Sequence, residues 1–426
     1  MTSNKRLEQI KDHIAGESPR DRLINHRHPD DVVIVSAVRT PICRAGKGGF
    51  KDMYPEDLLA VILKAAVERA KIDPKIVDDI QTGNVLQELG GIKVGRAAMF
   101  AAGFPYTTTY GVLNRQCSSG LQACNYVANA IRAGEIDVGI GAGVESMTHD
   151  YGSKSMPSRI SPAIKAAPGA ADVFFPMGIT SENVASQFLI SRGDQDQFAV
   201  ESHEKALRAQ ELGLFNAEIV PVKVTQKSTV KDENGQENQI VKEVIISKDE
   251  GPRAGSTTEK LGKLKPVFKK DGSTTAGNAS QVSDGAAAVV LMRRSKAIEL
   301  GCPILARWCG AKVTGEKPSI MGIGPATAIP AVLKNVGLQV DDVDIYEINE
   351  AFASQALYCA RHLNIKPAKL NPKGGAIALG HPLGMTGARQ MSTLITQLHH
   401  TGQKIGVISM CYGIGGGMAA VIVSEQ

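Results

Sequence analysis

Three side chains carry sulfur or imidazole chemistry in unusual settings: Cys117, His381 and Cys411. The first lies in Leu113-Asn114-Arg115-Gln116-Cys117-Ser118-Ser119-Gly120-Leu121. The β-branched, apolar run from Thr107 to Leu113 predicts a short strand before it. Leu121, Val127, Ala128 and Ile131 predict a helix over 121–133 after it. A thiol at a helix N-terminus feels the positive end of the dipole, which lowers its pKa. Backbone N–H groups at such a junction can also hold an oxyanion. The alternative for Cys117 is a buried thiol packed as a small hydrophobe. This stretch alone leaves both open.

His381 lies in Asn371-Pro372-Lys373-Gly374-Gly375-Ala376-Ile377-Ala378-Leu379-Gly380-His381-Pro382-Leu383-Gly384-Met385-Thr386-Gly387. Its glycines permit tight turns and close backbone approach, and an imidazole there can act as a base near neutral pH. Cys411 opens Cys411-Tyr412-Gly413-Ile414-Gly415-Gly416-Gly417, a second thiol on a glycine-rich turn that follows what reads as the last buried strand. No helix and acidic residue follow as a dinucleotide fingerprint requires. Asn349-Glu350-Ala351-Phe352 opens a helix straight after a strand. Asn349 can cap that helix, or its amide can orient a water.

The elements that must position these groups alternate β and α. Val32–Val38 reads as a strand buried on both faces. A helix over 55–71, a strand over 79–85, the Cys117 junction and a strand over 137–143 follow. The pattern then recurs: strand 303–313, helix 326–336, strand 344–349, helix 386–399 and strand 406–411. Residues 344–349 echo 79–84 one against one, and the Gly406 strand echoes the Gly139 strand. Two similar α/β halves are expected, with a ligand cleft at the C-terminal ends of the strands. Residues 150–267 break the rhythm, with helices near 181–191 and 194–212. A hairpin there has arms 219–225 and 240–247, with Asn234-Gly235 near its tip. An insert of this length reads as cover for a site, and its lysines as substrate contacts or a solvated face.

The 426 residues are 43% apolar and 21% charged, which describes a globular chain and excludes a disordered one. The net charge of +5 suits a polyanionic small molecule and is too diffuse for a nucleic-acid footprint. No apolar run reaches the length of a membrane span. The 7 cysteines are odd in number and hold no C-x-x-C pair, which argues against a disulfide framework or zinc site and for a reducing compartment. Residues 1–30 carry Glu8, Asp12, Glu17 and Asp21, acids that a mitochondrial presequence avoids. Leu7, Ile10 and Ile14 fall on one face of a short helix, and Arg6-Leu7 with His13-Ile14 is similar to an N-terminal peroxisomal targeting signal, Ile14 departing conservatively.

Taken together, the Cys117 stretch, Asn349-Glu350-Ala351-Phe352, Gly380-His381-Pro382 and Cys411-Tyr412-Gly413 resemble the thiolase family in order and separation, over residues 31–426. Thr275-Ala276-Gly277-Asn278-Ala279-Ser280 before Asp284-Gly285-Ala286 is similar to the family's coenzyme A region. The likeness is greatest to the 3-ketoacyl-CoA thiolases of fungal peroxisomes. Cys124 and Tyr412 depart from it, standing where smaller or aliphatic residues are common.

The resemblance implies an α/β thiolase fold: two βαβαβ-type halves stacked as a five-layered core. The first half would be 31–149 with 268–299, the second 300–426, with 150–267 an inserted α+β loop domain and 1–30 a targeting segment. It implies an acyltransferase that cleaves 3-ketoacyl-CoA with coenzyme A in β-oxidation. Coenzyme A would be a co-substrate, with no tightly bound cofactor and no metal. In that scheme Cys117 attacks, His381 takes its proton and Cys411 serves the leaving carbon. The N–H groups of Cys117 and Gly413 hold one oxyanion, and His381 with a water on Asn349 holds the other. Ser280 contacts the pantetheine arm and basic residues of the insert the phosphates. Homodimerisation, a peroxisomal matrix location and an import receptor for the N-terminal signal are further implications. Three alternatives stand beside it: acetoacetyl-CoA synthesis by the same residues, a decarboxylating ketoacyl synthase, which Cys411 argues against, and a non-catalytic acyl-CoA carrier.

Overall fold

In a computed structural model of the chain, the described residues are 16–152, 156–231 and 237–426. The Arg6–Ile14 signal and the Asn234-Gly235 tip lie outside them. The strands are β1 Val32–Arg39, β2 Cys43–Arg44, β3 Asp79–Gly83, β4 Thr109–Leu113, β5 Val138–Ser146, β6 Val222–Lys231, β7 Glu237–Ile246, β8 Ser283–Arg293, β9 Ala306–Gly315, β10 Ile345–Ile348, β11 Ile405–Tyr412 and β12 Gly416–Ser424. The helices that frame them are α1 Pro55–Ala70, α2 Ser119–Ala133, α3 Met177–Gln187, α4 Arg192–Glu211, α5 Gly324–Val336, α6 Ala353–His362 and α7 Thr386–Thr401.

The strand path is β10-β11-β12-β9-β1-β8-β5-β3-β4, with β2 on β8. β9 joins β1 through Val33–Arg307 and Ile34–Ala306 alone. On either side of that narrow seam the order is the same: β4-β3-β5-β8-β1 and β10-β11-β12-β9. β3, β4 and β5 are mutually parallel, as are β10 and β11. The counterpart of β4 in the second half shrinks to one parallel bridge, Tyr346 to Leu370.

The five layers follow from the period-2 alternation of strands buried on both faces. In β8, Ala287, Val289 and Leu291 face one core while Ala286, Ala288, Val290 and Met292 face another. In β12, Met418, Ala420 and Ile422 face that same first core while Ala419, Val421 and Val423 face a third. The shared central core holds α2 and α7, through Leu121, Val127 and Ile131 against Met391, Leu394 and Leu398. α1 covers the outer face of one sheet half, and α5 with α6 covers the other. Each large apolar side chain so buried contributes about 1.5–3 kcal/mol.

The end of the second half differs from the sequence reading. The last buried strand is β12, not β11, and Cys411 lies inside β11, with the turn beginning at Gly413. The repeat is also offset by one residue. The Asp78 carboxylate accepts from Asp137 N and Val138 N at 2.9 and 3.0 Å, and the Asp344 carboxylate accepts from Lys404 N and Ile405 N at 3.0 and 2.9 Å. Asp344 therefore matches Asp78 rather than Asp79, and Asn349 matches Gly83.

The inserted stretch is woven into all three cores. Val222 and Val224 join the α1 side, Ala206, Phe215 and Ile219 the centre, and Phe198 and Ala199 the α5 side. The hairpin starts at Val222 and not at Ile219, because Ile219 bridges Arg39 and Val220 N donates to Arg39 O at 2.8 Å. Arg39, wholly buried, ties the insert down. Its guanidinium meets Glu218 at 2.7 Å and Asp249 at 2.7 Å, and Lys373 from the second half reaches Glu218 at 3.4 Å. The helix Pro19–Asn25 also rests on the second half, through Arg20 to Asp344 at 3.0 Å. No helix of the described residues is long and apolar enough to cross a membrane.

Candidate active site

The C-terminal ends of β4, β10 and β11 deliver Cys117, Asn349 and Cys411 to one place. Cys117 follows a sharp turn that side chains hold in shape. Asn114 Oδ1 accepts from Gln116 N at 2.9 Å, and Ser119 Oγ accepts from Arg115 N at 2.8 Å. This network holds Gln116 at φ 49°, in the left-handed region, and α2 starts three residues later. Such strain on a non-glycine residue is typical of functional turns.

His381 comes from the loop before α7. Its backbone N donates to Gln281 O at 3.0 Å and to Ser283 Oγ at 2.8 Å. Gly380 is at φ 108°, and a Cβ on it would stand 2.7 Å from Ser283 Oγ, so only glycine fits. The ring is held at both nitrogens: Nδ1 lies 2.6 Å from Thr386 Oγ1, and Nε2 lies 3.3 Å from Asn349 Nδ2. Asn349 Oδ1 is buried with no protein partner among the described residues, an acceptor left for a water or a substrate.

The loops interlock through glycine. A Cβ on Gly384 would meet Gly83 O at 2.6 Å and Val144 O at 2.8 Å, and one on Gly387 would meet Leu121 N at 2.2 Å. A Cβ on Gly413 would reach Met177 Sδ at 3.1 Å and Gln116 Oε1 at 3.4 Å, which sets the Cys411 turn beside the Cys117 turn. Ser280 N donates to Ala351 O at 3.0 Å, placing Ser280 beside the Asn349-Glu350 turn. The structure thus brings Cys117, His381, Asn349, Cys411 and Gly413 to neighbouring turns, with Ser280 beside them. Depth differs: Cys117 is 8% exposed and Cys411 is fully buried, so the former is the thiol a ligand meets first.

Burial reverses the expected charge state of Cys117. It pushes the thiol up to about 12, its own backbone N–H pulling back and Glu145 pushing further. Burial likewise lowers His381 to about 3, helped by the Arg389 guanidinium, away from the neutral range expected. Cys411 is raised well above a free thiol by burial and by its neighbour Cys117. The resting site therefore holds two thiols and a neutral imidazole rather than a preformed thiolate. The dipole argument fails here because desolvation outweighs the helix end.

Three further residues escape sequence reading. Glu145, at the end of β5, accepts from Val85 N, Leu86 N and Gly384 N at 3.1, 3.1 and 2.9 Å and so clamps the His381 loop to the first half. Burial raises its carboxyl to about 7. A charge closing the apolar run Val138–Val144 was the available signal. Thr386 stands against the His381 ring, and Gln355 stands between Cys411 and Asn349. Thr386 lies five residues from His381 and Gln355 six from Asn349, but their residue types carry no signal by themselves, and the Cys411 contact of Gln355 is set by the fold.

A paired-sheet α/β architecture with two thiols, an imidazole and an amide converging at the strand ends defines a cysteine-based acyl-transfer enzyme by its geometry. Residues 32–295 match the thiolase N-terminal domain and residues 302–424 the thiolase C-terminal domain. The chain belongs to the thiolase family. It is 54% identical over 402 residues to the peroxisomal 3-ketoacyl-CoA thiolase of Yarrowia lipolytica, covering 94% of this chain and 95% of that protein. It is 53% identical over 392 residues to the human peroxisomal 3-ketoacyl-CoA thiolase, covering 92% and 90%. Among solved structures, the dimeric peroxisomal thiolase of Saccharomyces cerevisiae superposes with a TM-score of 0.85 at 47% identity, covering 95% of this chain and 100% of that one. Human mitochondrial 3-ketoacyl-CoA thiolase in complex with CoA gives 0.81 at 38% identity, covering 93% and 98%.

Proposed function

We propose that this chain is a peroxisomal 3-ketoacyl-CoA thiolase, cleaving 3-ketoacyl-CoA with coenzyme A to acetyl-CoA and a shortened acyl-CoA in β-oxidation. The observation that carries the reading is the convergence of Cys117, His381, Asn349 and Cys411 at one set of strand ends.

The bond to be broken joins two carbons, and its leaving group is the enolate of acetyl-CoA. Cys117 gives its proton to His381 as the sulfur attacks the 3-keto carbon. The resulting oxyanion is held by the N–H groups of Cys117 and Gly413. As the carbon–carbon bond breaks, its electron pair enters the enolate, whose thioester oxygen is held by His381 and a water on Asn349. Each such donor is worth about 3 kcal/mol of barrier. The Cys411 S–H proton goes to the departing carbon, releasing acetyl-CoA. Coenzyme A then enters, gives its thiol proton to Cys411 and attacks the Cys117 thioester. Cys117 leaves as thiolate and recovers its proton from His381. Ser280 contacts the pantetheine arm, and basic residues of the insert contact the phosphates.

The edge of β4, which among the described residues pairs on one side only, with β3, is the surface we assign to a second copy in a homodimer, since an open edge invites strand pairing. The Arg6–Ile14 signal would be read by a peroxisomal import receptor. A thiolysis assay over a ladder of 3-ketoacyl-CoA chain lengths with free coenzyme A tests the function. Chain shortening by two carbons supports it, and turnover of acetyl-CoA in the condensing direction alone overturns it.

A further inference from the structure

We propose that Gln355 is the positioning residue that holds Cys411 as a proton donor, and so decides which of the two thiols serves as the acid. The proposal rests on the acid–base reading of Cys411 given above.

Gln355 lies on α6 and is 1% exposed. Its Nε2 donates to Asn349 O at 2.7 Å. A carbonyl can only accept, so this bond fixes which end of the amide is nitrogen. The amide oxygen then faces Cys411, whose Sγ–H donates to Oε1 at 3.5 Å. An amide oxygen accepts from a thiol and repels a thiolate. Cys117 and Cys411 each have their own backbone N–H at the sulfur, so the contact with Gln355 Oε1 is what sets Cys411 apart. Two chemically identical groups in one pocket are thereby made unlike. Gly322 packs against the base of this side chain, where a Cβ would stand 2.7 Å from Gln355 Cβ and 3.5 Å from its Cγ. The same amide also anchors the carbonyl of Asn349, so the acid and the water-holding residue are set by one side chain.

In the cycle, the Cys411 S–H bond breaks as the enolate carbon takes the proton, leaving a Cys411 thiolate opposite Oε1. That repulsion drives the thiolate to recover a proton from the incoming coenzyme A thiol. No other co-reactant is needed.

The test uses the full-length enzyme and the near-isosteric Gln355→Met, which keeps the packing and removes both hydrogen bonds. Deuterium uptake at the acetyl methyl of acetyl-CoA in D2O reads the Cys411 step. Acylation of Cys117 by a nitrothiophenyl thioacetate, whose leaving group needs no proton, reads the Cys117 step. We expect exchange to fall at least about tenfold, within the range for a mispositioned general acid, with acylation within about twofold of wild type. Alkylation of Cys411 should also begin at lower pH. Equal losses in both readouts, or unchanged exchange, overturn the proposal. If the methionine variant does not fold, Gln355→Glu carries the test. Its protonated carboxyl can keep both contacts, so exchange should fall as pH rises through its ionisation, and a wild-type pH profile overturns the proposal. Cys411→Ala separates the two layers: normal exchange in that variant removes the acid–base reading itself, whereas lost exchange there with normal exchange in Gln355→Met removes only the role of Gln355.

Discussion

At Cys117 the helix N-terminus and the buried pocket act in opposite directions, and the pocket wins. With the thiol pushed up to about 12 and His381 lowered to about 3, neither group is charged before substrate arrives. Attack must then be assisted by the base in the same step rather than begin from a standing thiolate. Iodoacetamide modification of Cys117 in the free enzyme should therefore rise about tenfold per pH unit between pH 6 and 8, as for a thiol far below its pKa. A plateau in that interval would mean that a thiolate pre-exists. Asn349→Ala should lower kcat by about 10²–10³ with little change in KM, because the water it holds acts only as charge develops. Steady-state kinetics on one 3-ketoacyl-CoA reads this. The chemistry-bearing residues were legible in sequence because glycine and small residues mark where backbone must approach closely. Their charge states were not, since desolvation belongs to the packed pocket. Gln355 was not, since its partner Cys411 is far along the chain.

Among the elements, strands were easiest to read where both faces are buried, as in β1, whose eight residues are all buried. β12 was hidden by the glycines at its start, which read as a continuing turn although Met418–Val423 is a strand-forming run. The one-residue offset of the repeat arose because consecutive Asp78 and Asp79 look alike in sequence, and only the hydrogen bonds of Asp78 distinguish them. The loop carrying His381 is positioned by contact with β3 and β5 rather than by its own structure. Gly384→Ala places a methyl within 2.6 Å of Gly83 O and 2.8 Å of Val144 O, and backbone on both sides cannot yield. We expect a loss of about 1–3 kcal/mol in urea unfolding, with activity falling further than stability because the His381 ring moves. Wild-type activity at reduced stability would show that the clamp is not needed for alignment.

For the whole molecule, the buried ionic knot joins the insert to both halves. Burial alone would raise the Glu218 carboxyl, but Lys373 and Arg39 bring it down to about 2. A depressed carboxyl contributes stability above its unfolded value near 4.5, and that contribution is lost as pH falls from there toward 2. Arg39→Met leaves Glu218 and Asp249 buried without their shared partner, and we expect a loss of about 3–5 kcal/mol at pH 7 by urea unfolding. A change under about 1 kcal/mol would show that Lys373 suffices. Sedimentation should give twice the 45.1 kDa chain mass, as pairing of the β4 edges requires. The alternating β/α order made the doubled architecture legible. The knot was not, because its members are scattered from Arg39 to Lys373 and only the fold brings them together.

The most direct measurement is to locate the acyl group. Enzyme mixed with a 3-ketoacyl-CoA in the absence of free coenzyme A, acid-quenched and digested, should carry a single shortened acyl group on the peptide containing Cys117, detected by mass. An acyl group on Cys411 instead, or none on the protein at any time before coenzyme A is added, would contradict the account.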